Sequence, residues 1–304
     1  MEFRTVVNIP DPGFRMEPCE EMLFVGSCFA DSIGQRFVEE RFRATVNPYG
    51  TMYNPASVLH TVEKFCNGLQ PTDTDGPLAS VSSSAFPRVV FLTLGTNHVY
   101  RLKETGEIVD NCQKRPAALF QEEELTVDEC ADYLLRIVHL LRSHRPDVQV
   151  VFTVSPIRYR KYGYHESQLS KATLLLAVDH VMSTFKVQCS TFNVQCSTFN
   201  VQRSTFNVTY FPAYEIVLDE LRDYRFYKDD MLHPSPQAVE YIWQQLVEHY
   251  FSPAAKEFLR EWAPLKAALN HRPFDPDSEA YRDLMDKTML KVAELQKKYP
   301  TFAP

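Results

Sequence analysis

Apolar positions recur along the chain in two alternating rhythms. Met22 to Val25 is a short apolar run that stops at Gly26, and the next segment places Phe29, Ile33 and Phe37 on one helical face. This reads as strand, tight turn, helix. Ala44 to Asn47 predicts a second strand, after which Asn54 caps a helix with Pro55 in its first turn and Val58, Leu59, Val62, Phe65, Cys66 and Leu69 on its buried side. Val89 to Leu94 is apolar on both faces, as expected of a central parallel strand covered by helices. Two strand-like pieces between Val99 and Cys112 flank Glu104-Thr105-Gly106 and suggest a hairpin on the sheet.

Further on, Thr126 and Glu129 form a capping-box pattern, followed at helical spacing by Val127, Cys130, Leu134, Ile137, Val138 and Leu141. Val148 to Val154 supplies a fourth strand, Gln168 to about Met182 a fourth helix, and Val208 to Phe211 a fifth strand. Ser235 and Pro236 open a last domain helix with Val239, Ile242, Trp243, Leu246, Val247 and Tyr250 as its apolar stripe. The alternation predicts an α/β protein: three αβα layers around a mainly parallel, flavodoxin-like five-stranded sheet in order 2-1-3-4-5. That unit spans residues 1–250. Residues 251–304, charged and punctuated by proline, predict a C-terminal helical extension with one amphipathic helix near Tyr281 to Leu295.

One segment obeys neither rhythm. STFKVQC (183–189), STFNVQC (190–196), STFNVQR (197–203) and STFNVTY (204–210) are four near-identical units in tandem. An odd period puts successive Phe and Val pairs on opposite faces of a strand, and on a helix the two residues lie about 200° apart. The units therefore read as a local duplication that lengthens the connection into the fifth strand, with a partner-binding arm as the sharper alternative.

Composition narrows the function classes. The 304 residues carry 32 basic and 39 acidic side chains, a net charge of −7, which argues against a nucleic-acid partner. No apolar run is long enough to cross a membrane, and the first twenty residues contain acids and prolines instead of a signal peptide's apolar stretch. A cytoplasmic protein is expected. Its seven cysteines show no CxxC or Cys/His spacing, so they read as thiols and no metal site is expected. Trp243 and Trp262 need no function beyond packing.

Ligands of doubly wound sheets sit beyond the carboxyl ends of the strands, and three clusters fall there. In Gly26-Ser27-Cys28, a nucleophile at a helix N-terminus could be stabilised by free N–H groups; equally, Ser27 could cap the helix and Cys28 pack. Gly95-Thr96-Asn97-His98 offers a neutral amide donor in Asn97, although such a turn is also ordinary loop chemistry. In Asp230-Met231-Leu232-His233, Asp230 could fix the tautomer of His233, leaving the other ring nitrogen to accept a proton; an acidic loop with a surface histidine is the bland account. Arg158, Arg160, Lys161 and His165 follow the fourth strand on the same rim, where they could hold an anionic or sugar-bearing substrate; a solvated polar loop is the bland account.

Together these blocks resemble the GSCFA family of the SGNH (GDSL-like) hydrolase superfamily. The likeness rests on FVGSCFADSIG, NPYGTMYNP at 47–55, FLTLGTN at 91–97, TVSPIR at 153–158, SQLSKATLL at 167–175 and DMLHPS at 230–235, and covers roughly residues 3 to 250. It implies an ester hydrolase or acyltransferase that needs no cofactor, with Gly50 and Asn97 as oxyanion donors and Asp230 and His233 completing the machinery. Aligned without gaps against Gly-Asp-Ser-Leu, Cys28 takes the nucleophile's place and is favoured; a shift of one residue would put Ser27 there. His98 stands where the superfamily usually has Asp. The expected partner is a small acylated metabolite or carbohydrate, and a non-catalytic ligand-binding or scaffolding domain is the alternative. Oligomeric state is not legible.

Overall fold

A computed structural model of the chain describes residues 4–68, 86–110, 112, 115–195 and 206–303, with backbone alone for 186–195. Five strands, β1 (Glu21–Gly26), β2 (Arg43–Val46), β3 (Val89–Leu94), β7 (Gln149–Val154) and β8 (Asn207–Tyr210), pair in parallel in the order β2-β1-β3-β7-β8. This is the flavodoxin-like order expected from the sequence.

The helices α1 (Cys28–Glu39), α2 (Pro55–Gly68), α3 (Val127–His144) and α4 (Tyr164–Gln195) alternate with the strands. A short turn α5 (Ala213–Glu215), continued by a π turn at Ile216–Glu220, leads to α6 (Pro236–Tyr250), α7 (Pro253–Leu269) and α8 (Glu279–Lys298). The period of two along β1 divides the interior. Met22 and Phe24 face α1, α6, α7 and α8, whereas Leu23 and Val25 face α2, α3 and α4. Phe24 stacks on Phe91 at 4.8 Å between ring centres, and Phe37 meets Trp243 edge-on at 4.8 Å. The caps act as expected: Asn54 Oδ1 accepts from the Ser57 N–H at 2.9 Å, and the Thr126 and Glu129 pair closes a capping box.

Three features differ from the sequence expectation. First, a three-stranded antiparallel sheet, β5-β4-β6, replaces the simple hairpin: β4 (His98–Leu102) pairs with both β5 (Ile108–Val109) and β6 (Phe120–Glu124). β6 reads FQEEE and lacks apolar alternation because it is a mostly exposed strand held by cross-strand charge, with Arg101 Nε 2.6 Å from Glu123 Oε2. Second, the C-terminal segment forms two helices. Phe258, Trp262 and Phe302 join the core that contains Phe37 and Phe42, and Trp262 Nε1 donates to the Glu39 carbonyl at 3.4 Å.

Third, α4 continues past Met182 to Gln195, through the first heptapeptide unit and most of the second. No glycine or proline interrupts residues 183–211, so nothing in the units stops the helix. Phe185 of the first unit is buried, and Phe206 of the fourth packs against it at 5.6 Å. The repeats are thus partly core. Residues 196–205, with Cys196, lie outside the described residues, as does the side chain of Cys189.

Because Phe185 and Phe206 already meet, the two internal units can be removed without separating them. Deleting 190–203 should leave the melting temperature within a few degrees of the parent, since loop-closure entropy changes by only about 0.6 kcal/mol per doubling of length. Deleting 183–203, which also removes Phe185, should destabilise the protein by several kcal/mol; large→Ala changes at buried Phe cost about 3–5 kcal/mol. Thermal melts of the two deletions test this.

Candidate active site

At the end of β1 the chain must turn sharply against β3. Gly26 adopts φ +146°, and a Cβ there would overlap the Thr93 carbonyl oxygen, so this close passage admits glycine alone. Ser27 N–H then donates to that same Thr93 oxygen at 3.1 Å. Asn47, at the end of β2, ties the turn from below: its Oδ1 accepts from the Gly26 N–H at 2.8 Å and its Nδ2 donates to Asp31 Oδ1 at 2.6 Å. Asn47 holds φ +40°, a conformation Asn tolerates better than most residues. The sequence reading missed this clamp, although it lies in the NPYGTMYNP block.

The turn separates the two candidate nucleophiles. Ser27 is fully buried and its Oγ accepts from the Phe29 N–H at 3.3 Å, which is the work of a helix cap. Cys28 is half-buried and its Sγ lies 3.4 Å from His233 Nε2. On the far side of the ring, His233 Nδ1 lies 2.6 Å from Asp230 Oδ2. Asp230 is fixed in turn by the backbone, its Oδ1 accepting from the N–H groups of Leu232 at 2.8 Å and His233 at 3.0 Å. Those N–H bonds and the imidazole beside it hold the Asp230 carboxyl down at about 2. An ionised Asp230 assigns the proton of His233 to Nδ1 and leaves the Nε2 lone pair toward the sulfur.

The electrostatics of Cys28 differ from the expectation of a thiol acidified by the helix terminus. Burial is the largest influence and pushes the thiol up, with Asp31 adding to it; the Cys28 backbone N–H, Lys171 and Lys228 pull the other way. Burial thus favours the thiol form of Cys28 over the thiolate.

Cys28 and His233 share a cleft of about 440 Å³ with Tyr53, Ile157, Arg158, Tyr159, Arg160, Lys161 and Leu232. Arg158 is held over the Tyr164 ring at 4.3 Å and donates to the Met231 carbonyl at 3.3 Å, so it braces the loop that carries Asp230 and His233. His165 is exposed on the first turn of α4 and is not among the residues lining the cleft.

Two other expected contributors make hydrogen bonds within the protein. The Gly50 N–H closes a turn onto the Asn47 carbonyl at 2.8 Å, and Asn97 Nδ2 donates to the Leu125 carbonyl at 2.8 Å. Neither lines the cleft. The physical reason is local: Asn97 must anchor the β6–α3 connection to the end of β3, a demand created by the strand the sequence reading missed. The donor left beside the sulfur is the N–H of Cys28 itself, at the first turn of α1.

Lys171 was not singled out by the sequence reading. It is buried, its Nζ donates to the Gly95 carbonyl at 2.6 Å, and it lies over the Tyr159 ring at 5.4 Å. Burial pulls its ammonium down to about 7, and the Cys28 thiol is the one ionisable group that pulls it back up. Its neighbours in the SQLSK stretch are also structural: Ser170 Oγ accepts from the Asn97 N–H at 3.0 Å, and Ser167 Oγ accepts from the Tyr159 N–H at 3.2 Å. A lysine at i+4 from one serine and i+1 from another gives no helical signal that separates it from a solvated residue.

Residues 21–83 and 78–246 match the GSCFA family, and residues 262–303 match the GSCFA domain protein, C-terminal domain. The protein is a three-layer α/β chain of flavodoxin-like order. It belongs to the GSCFA family. No curated protein matches it in sequence. Among solved structures, a Ser-to-Ala mutant of an acetyl esterase with acetate ion is similar at 11% identity and TM-score 0.40, over 80% of this chain and 99% of that one. A putative platelet activating factor from Streptococcus pneumonia is similar at 15% identity and TM-score 0.37, over 77% and 84%. A carbohydrate esterase family 3 protein from Talaromyces cellulolyticus is similar at 10% identity and TM-score 0.37, over 79% and 99%. No helix among the described residues is long and apolar enough to cross a membrane, and no group of three or more His, Cys, Asp or Glu among them could hold a metal ion.

Two expectations follow from the ionisation states. Iodoacetamide should label Cys28 slowly at pH 7 and faster as pH rises, whereas Cys19 and Cys130, pushed by burial to about 12, and Cys66, pushed to about 11, should stay unlabelled in the folded protein. Peptide mapping after timed labelling reads this out, and preferential labelling of Cys28 below pH 7 would contradict it. For Lys171, the folded ammonium titrates at about 7 and the unfolded one near 10.5, so the unfolded chain binds more protons between those values and stability rises with pH across that window. Lys171→Met should therefore melt at or above the parent at pH 7, with that advantage shrinking toward pH 10. Melting curves across pH check the sign.

Proposed function

We propose that this protein cleaves or transfers acyl groups carried on esters, with Cys28 as the nucleophile. One observation carries the reading: Cys28 Sγ, His233 and Asp230 form a line with contacts of 3.4 Å and 2.6 Å at the carboxyl edge of the sheet. As the sulfur attacks the ester carbonyl, its proton passes to His233 Nε2, and the resulting imidazolium is stabilised by Asp230. The carbonyl oxygen gains negative charge beside the Cys28 N–H. His233 then returns the proton to the leaving alkoxide, forming a thioester and a free alcohol. Water or an acceptor alcohol, deprotonated by the same Nε2, attacks the thioester and restores the thiol.

Starting from a thiol suits this route. General-base removal of the proton in the transition state takes the place of a preformed thiolate, and the buried Lys171 offsets part of the charge that develops. Ser27 acts as a cap. Residues 1–250 would carry the chemistry and 251–304 would brace α1 from behind. The five described cysteines are free thiols, which suits a reducing, cytoplasmic compartment.

A second reading rests on a specific observation. The Gly50 N–H and one N–H of Asn97 Nδ2 are bonded within the protein, which suits a ligand-binding domain that keeps the fold without turning over.

Assays with p-nitrophenyl acetate, p-nitrophenyl butyrate and acyl thioesters separate the two. Cys28→Ala should abolish turnover, and His233→Ala should lower kcat by about 10²–10⁴-fold. Ser27→Ala should retain turnover while losing about 1 kcal/mol of stability, the worth of a cap. An acyl adduct on the Cys28 peptide, trapped in His233→Ala, would support the enzyme. Equal rates in the parent and His233→Ala would sink it, and Ser27→Ala inactive with Cys28→Ala active would move the nucleophile to Ser27.

A further inference from the structure

Only one face of α8 is used within the chain. Thr288, Val292 and Leu295 are buried against the core, and Lys298 reaches back to Glu257 and Glu261 on α7 at 2.8 Å each. At 3.6 residues per turn, Leu290 lies about 180° from that buried face and is 67% exposed. A lone exposed leucine is ordinary. The pattern around it is not: Glu279, Asp283, Asp286, Leu290, Ala293 and Lys297 follow one another at alternating spacings of four and three, the heptad seam of a helix that meets another helix. All six are exposed. Asp286 and Lys297 on the seam, and Lys287 and Glu294 beside it, make no ion pair among the described residues.

The charges along the seam choose its occupant. Acids hold the first three positions and a lysine the last, so a second α8 laid parallel would set Asp283 on Asp283, Asp286 on Asp286 and Lys297 on Lys297. The antiparallel arrangement reverses this. With Leu290 against Ala293 of the second copy, the same register sets Asp286 against Lys297 of the second copy, because both pairs are centred between Lys291 and Val292. Each contact then occurs twice about a twofold axis. Lys287 and Glu294, which flank the seam on one side, also meet with opposite sign, their midpoint lying one residue from that centre. On the other side Met289, 52% exposed, widens the apolar middle. The two helix dipoles oppose each other as well. A seam that complements itself in packing and in charge points to another copy of this chain.

We infer that α8 is the contact surface of a homodimer, in which the helices of two copies pack antiparallel with Leu290 seated on Ala293 and Asp286 paired to Lys297 at each end. The inference does not depend on the chemistry proposed for Cys28. It gives the C-terminal segment a role between molecules on one face of α8, while the other face completes the core. A single pair of helices of this length buries on the order of 1,000 Å², at the low end for a specific contact. The dimer is therefore reversible, with a dissociation constant on the order of 10 μM.

Sedimentation velocity on the full chain, from about 1 to about 200 μM, tests it. The parent should pass from monomer to dimer across that range, and Leu290→Asp should stay monomeric throughout. Asp286→Lys sets lysine against lysine at both ends of the seam, and Lys297→Asp sets aspartate against aspartate. Each variant alone should dimerise about tenfold more weakly than the parent. Mixed in equal amounts, the two should associate about as well as the parent does, because every lysine of one then faces an aspartate of the other. The substituted positions are exposed, and circular dichroism confirms that the variants fold. A parent that remains monomeric at about 200 μM, or a dimer that survives Leu290→Asp, would overturn the inference. So would a mixture that associates no better than its two components, since the helices would then not meet in this register.

Discussion

The passage of the Gly26 backbone against the Thr93 carbonyl fixes everything that follows at the site. With no side chain at position 26, β1 and β3 stay in register to their ends, Gly26 pairing with Thr93, and the chain can enter α1 at once. That entry angle buries Ser27 and turns Cys28 outward. A longer or looser turn would exchange them. Asn47 makes the geometry rigid by bonding the turn's N–H and the Asp31 carboxylate on α1 together, so the end of β2, the turn and the helix move as one.

The opposite half of the site is held by different means. Asp230 and His233 sit on a loop between the π turn and α6, where Met231 takes φ +58° without being glycine. The Lys228 N–H bonds the His233 carbonyl at 2.8 Å, and the Met231 N–H bonds the Lys228 carbonyl at 2.8 Å. Arg158 crosses from the loop after β7 to the same segment. Local hydrogen bonds thus do for His233 what packing does for Cys28. The result sets a half-buried thiol against a half-exposed imidazole, with the buried Lys171 nearby. Burial disfavours the charged forms of both Cys28 and Lys171, pushing the thiol up and bringing the ammonium down to about 7.

Legibility followed the kind of force involved. Asp230 and His233 could be paired on paper because they lie three positions apart and the chain between is a short loop. The parallel strands could be read because burial on both faces leaves long apolar runs. β6 could not, since a strand held by Arg101 and Glu123 across its pairing carries no such run. With β6 unseen, the demand it places on Asn97 was unseen too: its amide bonds the Leu125 carbonyl through Nδ2. Lys171 and Asn47 were hidden for a related reason: each acts on residues 16 to 76 positions away, and no periodicity reports such contacts.

The amino-acid sequence by itself determined the order of strands and helices, the caps at Asn54, Thr126 and Ser235, and the glycine at the first turn, because each depends on neighbours a few positions apart. It also carried the three blocks that converge at the carboxyl edge of the sheet. Tertiary structure alone decided which of Ser27 and Cys28 faces the histidine, how far burial raises the thiol, and which polar groups are free. Those are matters of distance and of exclusion from water. They exist only once β3, the loop before α6 and the middle of α4 have been brought against the same turn.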